Sequence, residues 1–124
     1  MDRYLVVLAG AGLGGLGRYA LGAWIMAKSG GRFPWGTFFI NVSGAFLIGL
    51  LMTSFSERFP PHPNWRLFLV AGVLGGYTTF SSFEWEAYSA IRGGERWMGL
   101  LYVTGSVVLG YAAVWLGSMM AARR

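Results

Sequence analysis

Four long apolar runs dominate this sequence and limit what it can fold into. They lie at about residues 4–27, 36–55, 67–91 and 98–121. Each approaches or exceeds the roughly 20 residues that an α-helix needs to cross the hydrocarbon core of a bilayer. The connections between the runs are short, so consecutive helices are expected to pack antiparallel. The pattern predicts an all-α integral membrane protein, with residues 1–124 forming a single domain of four transmembrane helices.

The composition favours the same class of protein. Of the 124 residues, 55% are hydrophobic and 12% are charged, against about 25% charged in a soluble domain. The net charge of +5 comes mostly from Lys and Arg between the apolar runs, where lipid headgroups are the expected neighbours. We therefore expect contact with membrane lipid and no binding of nucleic acid. Cysteine is absent, which excludes disulfides and thiolate metal sites.

The loop charges bear on the orientation of the chain in the membrane. With four spans, both termini and the second loop lie on one side, which carries five basic residues: Arg3, Arg58, Arg66, Arg123 and Arg124. The other side carries four: Lys28, Arg32, Arg92 and Arg96. The positive-inside rule compares such counts, and five against four sets no orientation. Two oppositely oriented copies can then pair as a homodimer with its two-fold axis in the membrane plane.

Polar side chains within the apolar runs are the candidate functional residues. An ionisable group in a span costs at least a few kcal/mol, so it normally faces protein or a water-filled path. The polar residues inside the runs are Arg18, Asn41, Thr78, Thr79, Ser81, Ser82, Glu84, Glu86 and Ser106. A Ser or Thr alone is explained by hydrogen bonding to the helix carbonyl four residues earlier. Four hydroxyls beside two carboxylates, in GGYTTFSSFEWE, instead indicate a functional path within the membrane. Phe80 and Phe83, three residues apart, are expected on one side of the same helix beside these hydroxyls.

Glycine spacing predicts both close helix packing and a helix break. Gly10/Gly14 and Gly72/Gly76 have the small-xxx-small spacing that lets helices approach closely in lipid. The pair at positions 75 and 76 weakens the third helix, and we expect a break near Gly75–Thr78. Such a break frees backbone carbonyls at mid-membrane, where they must line a cavity or bind a ligand, and carbonyls suit a hard cation. No Ser/His/Asp set or metal-binding His/Glu spacing occurs, so we expect no enzyme activity.

Three separated motifs resemble the signatures of the Fluc (CrcB) fluoride channel family. GGYTTFSSF (75–83) is similar to the family's GG-x-TTFS-T-F pattern, GTFFINVSGAFLIG (36–49) resembles its second-span motif, and GLGGLGRY (12–19) resembles its G-xxx-RY element. The likeness covers nearly the whole chain. It implies a fluoride-selective channel for passive export of cytoplasmic fluoride, built as an antiparallel homodimer with two pores in a bacterial inner (plasma) membrane.

The resemblance also implies roles for individual residues. Phe80 and Phe83 would contact fluoride through their ring edges, which carry partial positive charge, and Asn41 would donate a hydrogen bond from its amide. The other implied pore residues are Thr79, Ser81, Ser82, Ser106, Arg18 and Glu86. A structural sodium ion would be held by the backbone carbonyls of Gly75 and Thr78 from both subunits. Position 84 is often small and polar in the family, and Glu84 departs from that pattern.

Two alternatives to the channel make different demands on the sequence. A proton-coupled exporter of the small multidrug type also has four short helices and dual topology, but such proteins resemble one another in a glutamate within the first span. Here the first span has no acidic residue after Asp2, which favours the channel. A purely structural membrane protein would leave the Phe and hydroxyl cluster and Asn41 without an explanation.

Overall fold

The computed structural model describes residues 2–122, and this part of the chain is helical with no β-strand. Arg123 and Arg124, counted above among the loop charges, lie outside the described residues. The helical elements in chain order are α1 (Arg3–Ser29), α2 (Trp35–Glu57), α3 (Pro63–Arg66), a π-helical segment (Leu67–Leu74), α4 (Gly75–Tyr77), α5 (Ser81–Arg92) and α6 (Arg96–Ala121). Three of them, α1, α2 and α6, are long and apolar enough to cross a membrane.

The helix ends follow from local sequence. Asp2 accepts a hydrogen bond from the Tyr4 N–H at 2.7 Å and caps the start of α1. Gly30 ends that helix in the left-handed region at φ 61°, where a residue without Cβ carries no steric penalty. Pro34 stands immediately before α2 and Pro63 in the first turn of α3, where the missing N–H of proline costs nothing.

The third apolar segment is not one continuous helix. Residues 63–77, here called the first arm, are helical throughout, with a π-helical stretch in the middle. The chain then becomes extended at Thr78, with φ −86° and ψ 156°, and α5 begins at Ser81. The break therefore covers residues 78–80. The break expected near Gly75–Thr78 thus begins at the Thr78 end of that range, and Gly75 and Gly76 themselves lie in α4.

Glycines bring α1 and the first arm into backbone contact. A Cβ at Gly10 would lie 2.5 Å from the Phe68 carbonyl oxygen, and one at Gly72 would lie 2.9 Å from the Gly10 Cα. A Cβ at Gly14 or at Gly76 would collide with the backbone of the facing helix. Gly76 therefore serves close packing rather than flexibility, which explains why it stays helical beside the break.

α2 and α6 form the second packed pair, and side chains tie the ends of the fold. Arg58, at the end of α2, donates from Nε to the Ala121 carbonyl at 2.7 Å and from Nη2 to the Ala122 carbonyl at 3.0 Å. These bonds satisfy carbonyls that the end of α6 leaves free. At the other end of the helices, Arg32 forms an ion pair with Glu95, joining the loop after α1 to the loop before α6.

Most large apolar side chains point away from the interior. Leu16 is 69% exposed, Val107 63% and Trp115 59%, whereas few side chains are fully buried. Monomeric soluble proteins rarely present contiguous apolar surface on this scale. The outer surfaces of α1 and α6 are therefore suited to lipid or to a second subunit.

Candidate functional site

Asn41 of α2 holds the break in place by pairing with the backbone of Thr79. Its Nδ2 donates to the Thr79 carbonyl, its Oδ1 accepts from the Thr79 N–H, and both distances are 2.8 Å. The side-chain amide thus satisfies a donor and an acceptor that the break removes from the helical ladder. The amide nitrogen carries two hydrogens, so one N–H remains for another acceptor.

The same contacts leave two backbone carbonyls without their usual helical donors. The N–H of Thr79, which would bond to the Gly75 carbonyl in a continuous helix, donates to Asn41 instead. The N–H of Ser82, which would bond to the Thr78 carbonyl, donates to Thr79 Oγ1 at 3.3 Å. Thr79 therefore caps α5 in the manner of an N-cap residue. Gly75 and Thr78 both line a groove of about 300 Å³ between α2, α6 and the first arm.

A cavity lined by both polar and aromatic side chains opens at the break. It has a volume of about 280 Å³, and its lining includes Asn41, Thr78, Thr79, Phe80, Phe83 and Ser106. Ser106 of α6 contributes a buried Oγ to this region. Among residues 2–122, it is the one buried side-chain oxygen or nitrogen without a hydrogen-bond partner. A buried hydroxyl without a partner is costly, so this atom is suited to meet a ligand in the cavity.

The two phenylalanines lie on either side of the helix start. Phe83 is in α5 and 5% exposed, and it packs edge-to-face on Tyr102 with ring centroids 4.9 Å apart. Phe80 lies in the break and is 74% exposed. Phe80 is the N-cap residue of α5, with φ −89° and ψ −41° in the helical region, so both rings lie at the start of one helix. The rings lie close, with centroids 6.0 Å apart and an angle of 61° between planes.

Glu86 of α5 is held in a network with α2 and α6. Tyr102 donates from its hydroxyl to Glu86 Oε1 at 3.0 Å, and Thr37 Oγ1 donates to Glu86 Oε2 at 3.1 Å. Tyr102 itself is 1% exposed. Both carboxylate oxygens of Glu86 therefore accept from neutral hydroxyls, so a charge at this position is stabilised without a basic partner.

The remaining predicted residues lie around the break rather than in the cavity wall. Arg18 of α1 is half-buried, and its Nε donates to the Gly76 carbonyl at 3.3 Å. Ser81 is exposed at the start of α5, and Ser82 is half-buried one residue on. Glu84 is exposed. The structure thus brings Arg18 to the last turn of the first arm but not to the cavity lining.

Sequence reasoning missed Thr37 and Tyr102, although a helical signal marks each. Thr37 precedes Asn41 by four residues in α2, and Tyr102 precedes Ser106 by four in α6. Side chains four apart share one helix face. Polar residues at that spacing in otherwise apolar helices indicate which faces of α2 and α6 turn toward the third segment.

Three apolar helices long enough to span a membrane, together with a third apolar segment that is broken and opens a cavity, define an integral membrane protein. Comparison with known proteins places it in a family. The model of the family described as "CrcB-like protein, Camphor Resistance (CrcB)" matches residues 5–118. The chain belongs to this family, which confirms the resemblance seen in its motifs.

Relatives from several bacteria align over almost the whole chain. A protein of Solibacter usitatus is 60% identical over 98% of this chain and 99% of its own length. A protein of Acidobacterium capsulatum is 46% identical over 98% of this chain and 97% of its own length. One from Thermus thermophilus is 47% identical over 94% of this chain and 91% of its own length. Each is named "Fluoride-specific ion channel FluC". Those names describe ion channels and agree with the expectation of a transport protein rather than an enzyme.

Proposed function

We propose that this chain is a fluoride-selective ion channel that lets cytoplasmic fluoride leave the cell passively. The names of its relatives point to this function. The observation that carries it in this chain is the cavity at the break, whose lining includes Asn41, Phe80 and Ser106, the last with a buried hydroxyl that has no partner. These groups offer hydrogen-bond donors and aromatic edges, and no charged side chain of residues 2–122 lines the cavity.

The chemistry of the cavity suits a small, strongly hydrated anion. Fluoride must give up bound water to enter, and the cavity must replace those hydrogen bonds. Ser106 Oγ–H and the second N–H of Asn41 supply donors, and the Thr79 hydroxyl can donate while it accepts from Ser82. The positive edges of Phe80 and Phe83 add electrostatic attraction without offering an acceptor that would repel the ion.

The driving force needs no coupled reaction. Hydrofluoric acid enters uncharged and dissociates in the less acidic cytoplasm. The membrane potential, negative inside, then drives the anion out with about 2.3 kcal/mol per charge per 100 mV. Export of this kind acts across the membrane that carries this potential, so the proposal includes a bacterial inner membrane.

The working unit of the proposal is an antiparallel homodimer with two pores. In each subunit α1, α2 and α6 span the membrane. The first arm and α5 together form the remaining span, which is broken and is the third in chain order. Support comes from the near-equal loop charges, which set no orientation, and from Phe80, whose 74% exposed ring calls for a neighbour outside the chain. A subunit alone would present Phe80 and Glu84 to acyl chains.

A structural sodium ion at the dimer axis belongs to the same proposal, and the residues present fit it. The carbonyls of Gly75 and Thr78 are those whose helical donors are taken by Asn41 and Thr79 side chains. Free backbone carbonyls at a helix break are the ligands that sodium takes in other membrane proteins. When bound, the ion would supply a fixed positive charge near the anion path.

Efflux from liposomes tests the function. Purified protein is reconstituted in vesicles loaded with potassium fluoride, valinomycin is added, and external fluoride is recorded with a selective electrode. We expect rapid efflux without a proton gradient, and little efflux when chloride replaces fluoride. Movement of organic cations that depends on a proton gradient, with no fluoride efflux, would instead establish the exporter.

A further inference from the structure

Glu84 lies on the same stripe of α5 as Phe80. The Glu84 N–H donates to the Phe80 carbonyl at 2.9 Å, which is the bond of an α-helix. Phe80 is therefore in helical register with α5. Side chains four apart in that register lie one above the other. The stripe continues with Tyr88, which is 51% exposed and accepts a hydrogen bond from Arg92 Nη1 at 3.1 Å.

Among residues 2–122, no basic side chain forms an ion pair with the Glu84 carboxylate. Within residues 2–122 the ion pair that forms joins Arg32 and Glu95 in the loops. Arg92 is two turns further along the stripe and binds Tyr88. The second carboxylate of α5, Glu86, lies on the opposite side of the helix, against Thr37 and Tyr102. The two glutamates of the segment thus occupy different environments.

The position of Glu84 along the helix bears on what this stripe faces. Glu84 is the fourth residue of α5, about 5 Å of helix rise beyond the break, and its side chain is exposed in the single subunit. A charged side chain among acyl chains costs at least a few kcal/mol. In the proposed dimer the stripe of Phe80, Glu84 and Tyr88 therefore faces the second subunit and the water between the subunits rather than lipid. It leads from the loop end of α5 to Phe80, which lines the cavity.

We infer that ionised Glu84 stands at the mouth of the anion path and limits the rate of fluoride passage by electrostatic repulsion. The inference rests on the proposed function. A fixed negative charge at a narrow mouth lowers the local concentration of anions and so slows their entry. Dissolved salt screens this effect, with a Debye length of about 10 Å at 0.1 M ionic strength. The charge, not the shape, of the side chain sets the rate.

Charge variants of the full-length protein test the inference. Fluoride efflux is measured in vesicles of zwitterionic lipid, so that lipid surface charge does not vary with salt. Glu84→Gln keeps the shape and removes the charge, and we expect efflux to rise roughly two- to tenfold at low ionic strength. Glu84→Lys should raise it further. Glu84→Asp keeps the charge and is the matched control, with efflux close to that of the unchanged protein.

Salt dependence separates repulsion from a structural effect. The ratio of efflux in Glu84→Gln to that in the unchanged protein should fall toward one as ionic strength rises. A ratio that does not vary with salt, or slower efflux in Glu84→Gln, overturns the inference. If Glu84→Gln does not fold, the comparison of Glu84→Lys with Glu84→Asp decides in the same way. Absence of fluoride efflux from every variant, including the unchanged protein, overturns the channel assignment as well.

Discussion

At the scale of single residues, Asn41 links the helix break to the cavity. Its amide pairs with both backbone groups of Thr79, and its second N–H can donate to another acceptor. One side chain therefore fixes the conformation of residues 78–80 and contributes to the lining of the cavity. Loss of this amide should affect folding and transport together.

Replacement of Asn41 by leucine tests this double role. Asn41→Leu keeps the size of the side chain but leaves the Thr79 N–H and carbonyl unpaired, and we expect a loss of about 2–4 kcal/mol in stability. Thermal unfolding of the purified protein measures the loss, and fluoride efflux should also fall. The same replacement at Asn64 is the control, because the described hydrogen bond there is made by its backbone N–H. Equal unfolding temperatures for the two variants would contradict the role of Asn41.

The sequence identifies the polar residues of the site but not their partners. Thr79 and Glu86 stand out as polar groups in an apolar segment, and their placement near Asn41, Thr37 and Tyr102 depends on how α2 and α6 pack. Those contacts join residues 16 to 49 positions apart, a separation that no local pattern encodes.

At the scale of helices, glycine decides how closely α1 approaches the first arm. A Cβ at Gly14 would collide with the Val73 carbonyl, whereas a Cβ at Gly12, half a turn away, would meet nothing within 4 Å. The same helix therefore holds a position where alanine is excluded and one where it is tolerated.

Alanine at these two glycines provides a matched pair. Gly14→Ala forces backbones apart and should destabilise the protein by about 1–3 kcal/mol. Gly12→Ala should be neutral or stabilise by up to about 1 kcal/mol, because alanine has the higher helix propensity. Thermal unfolding in detergent measures both changes. If Gly12→Ala costs as much stability as Gly14→Ala, the packing of α1 described here is wrong.

Hydropathy places the long helices but not the break. The structure has α1, α2 and α6 within about two residues of the apolar runs at 4–27, 36–55 and 98–121. In the third run, glycine propensity predicts weakness at positions 75 and 76, but Gly76 is held helical against Ala11. The break begins at Thr78. The backbone N–H of the next residue, Thr79, bonds to the Asn41 side chain instead of to a helix carbonyl. Tertiary contacts thus override local propensity at the site that matters for function.

At the scale of the whole molecule, the proposed dimer depends on the proposed sodium ion. Carbonyls of two subunits that converge on one axis repel each other unless a cation lies between them. Removal of sodium should therefore weaken the association or the activity of the subunits.

Exchange of sodium for a larger cation tests this dependence. In buffer containing N-methylglucamine in place of sodium, we expect the dimer to elute partly as monomer in gel filtration or fluoride efflux to fall. Addition of sodium should restore both. A dimer that keeps full activity after exhaustive removal of sodium would show that the free carbonyls of Gly75 and Thr78 are satisfied in another way.

The central claim is that the cavity at the break conducts fluoride, and replacement of Phe80 tests it most directly. Phe80 is 74% exposed in the single chain, so Phe80→Ile removes the ring edge with little loss of packing within the subunit. Phe83→Ile serves as a companion, with an added cost in stability because Phe83 packs on Tyr102.

The measurement is fluoride efflux from vesicles containing the Phe80→Ile dimer, with gel filtration to establish that the dimer is intact. The account predicts that efflux falls by roughly tenfold or more, which corresponds to a loss of about 1.4 kcal/mol of barrier stabilisation. Efflux equal to that of the unchanged protein, from an intact dimer, would contradict it.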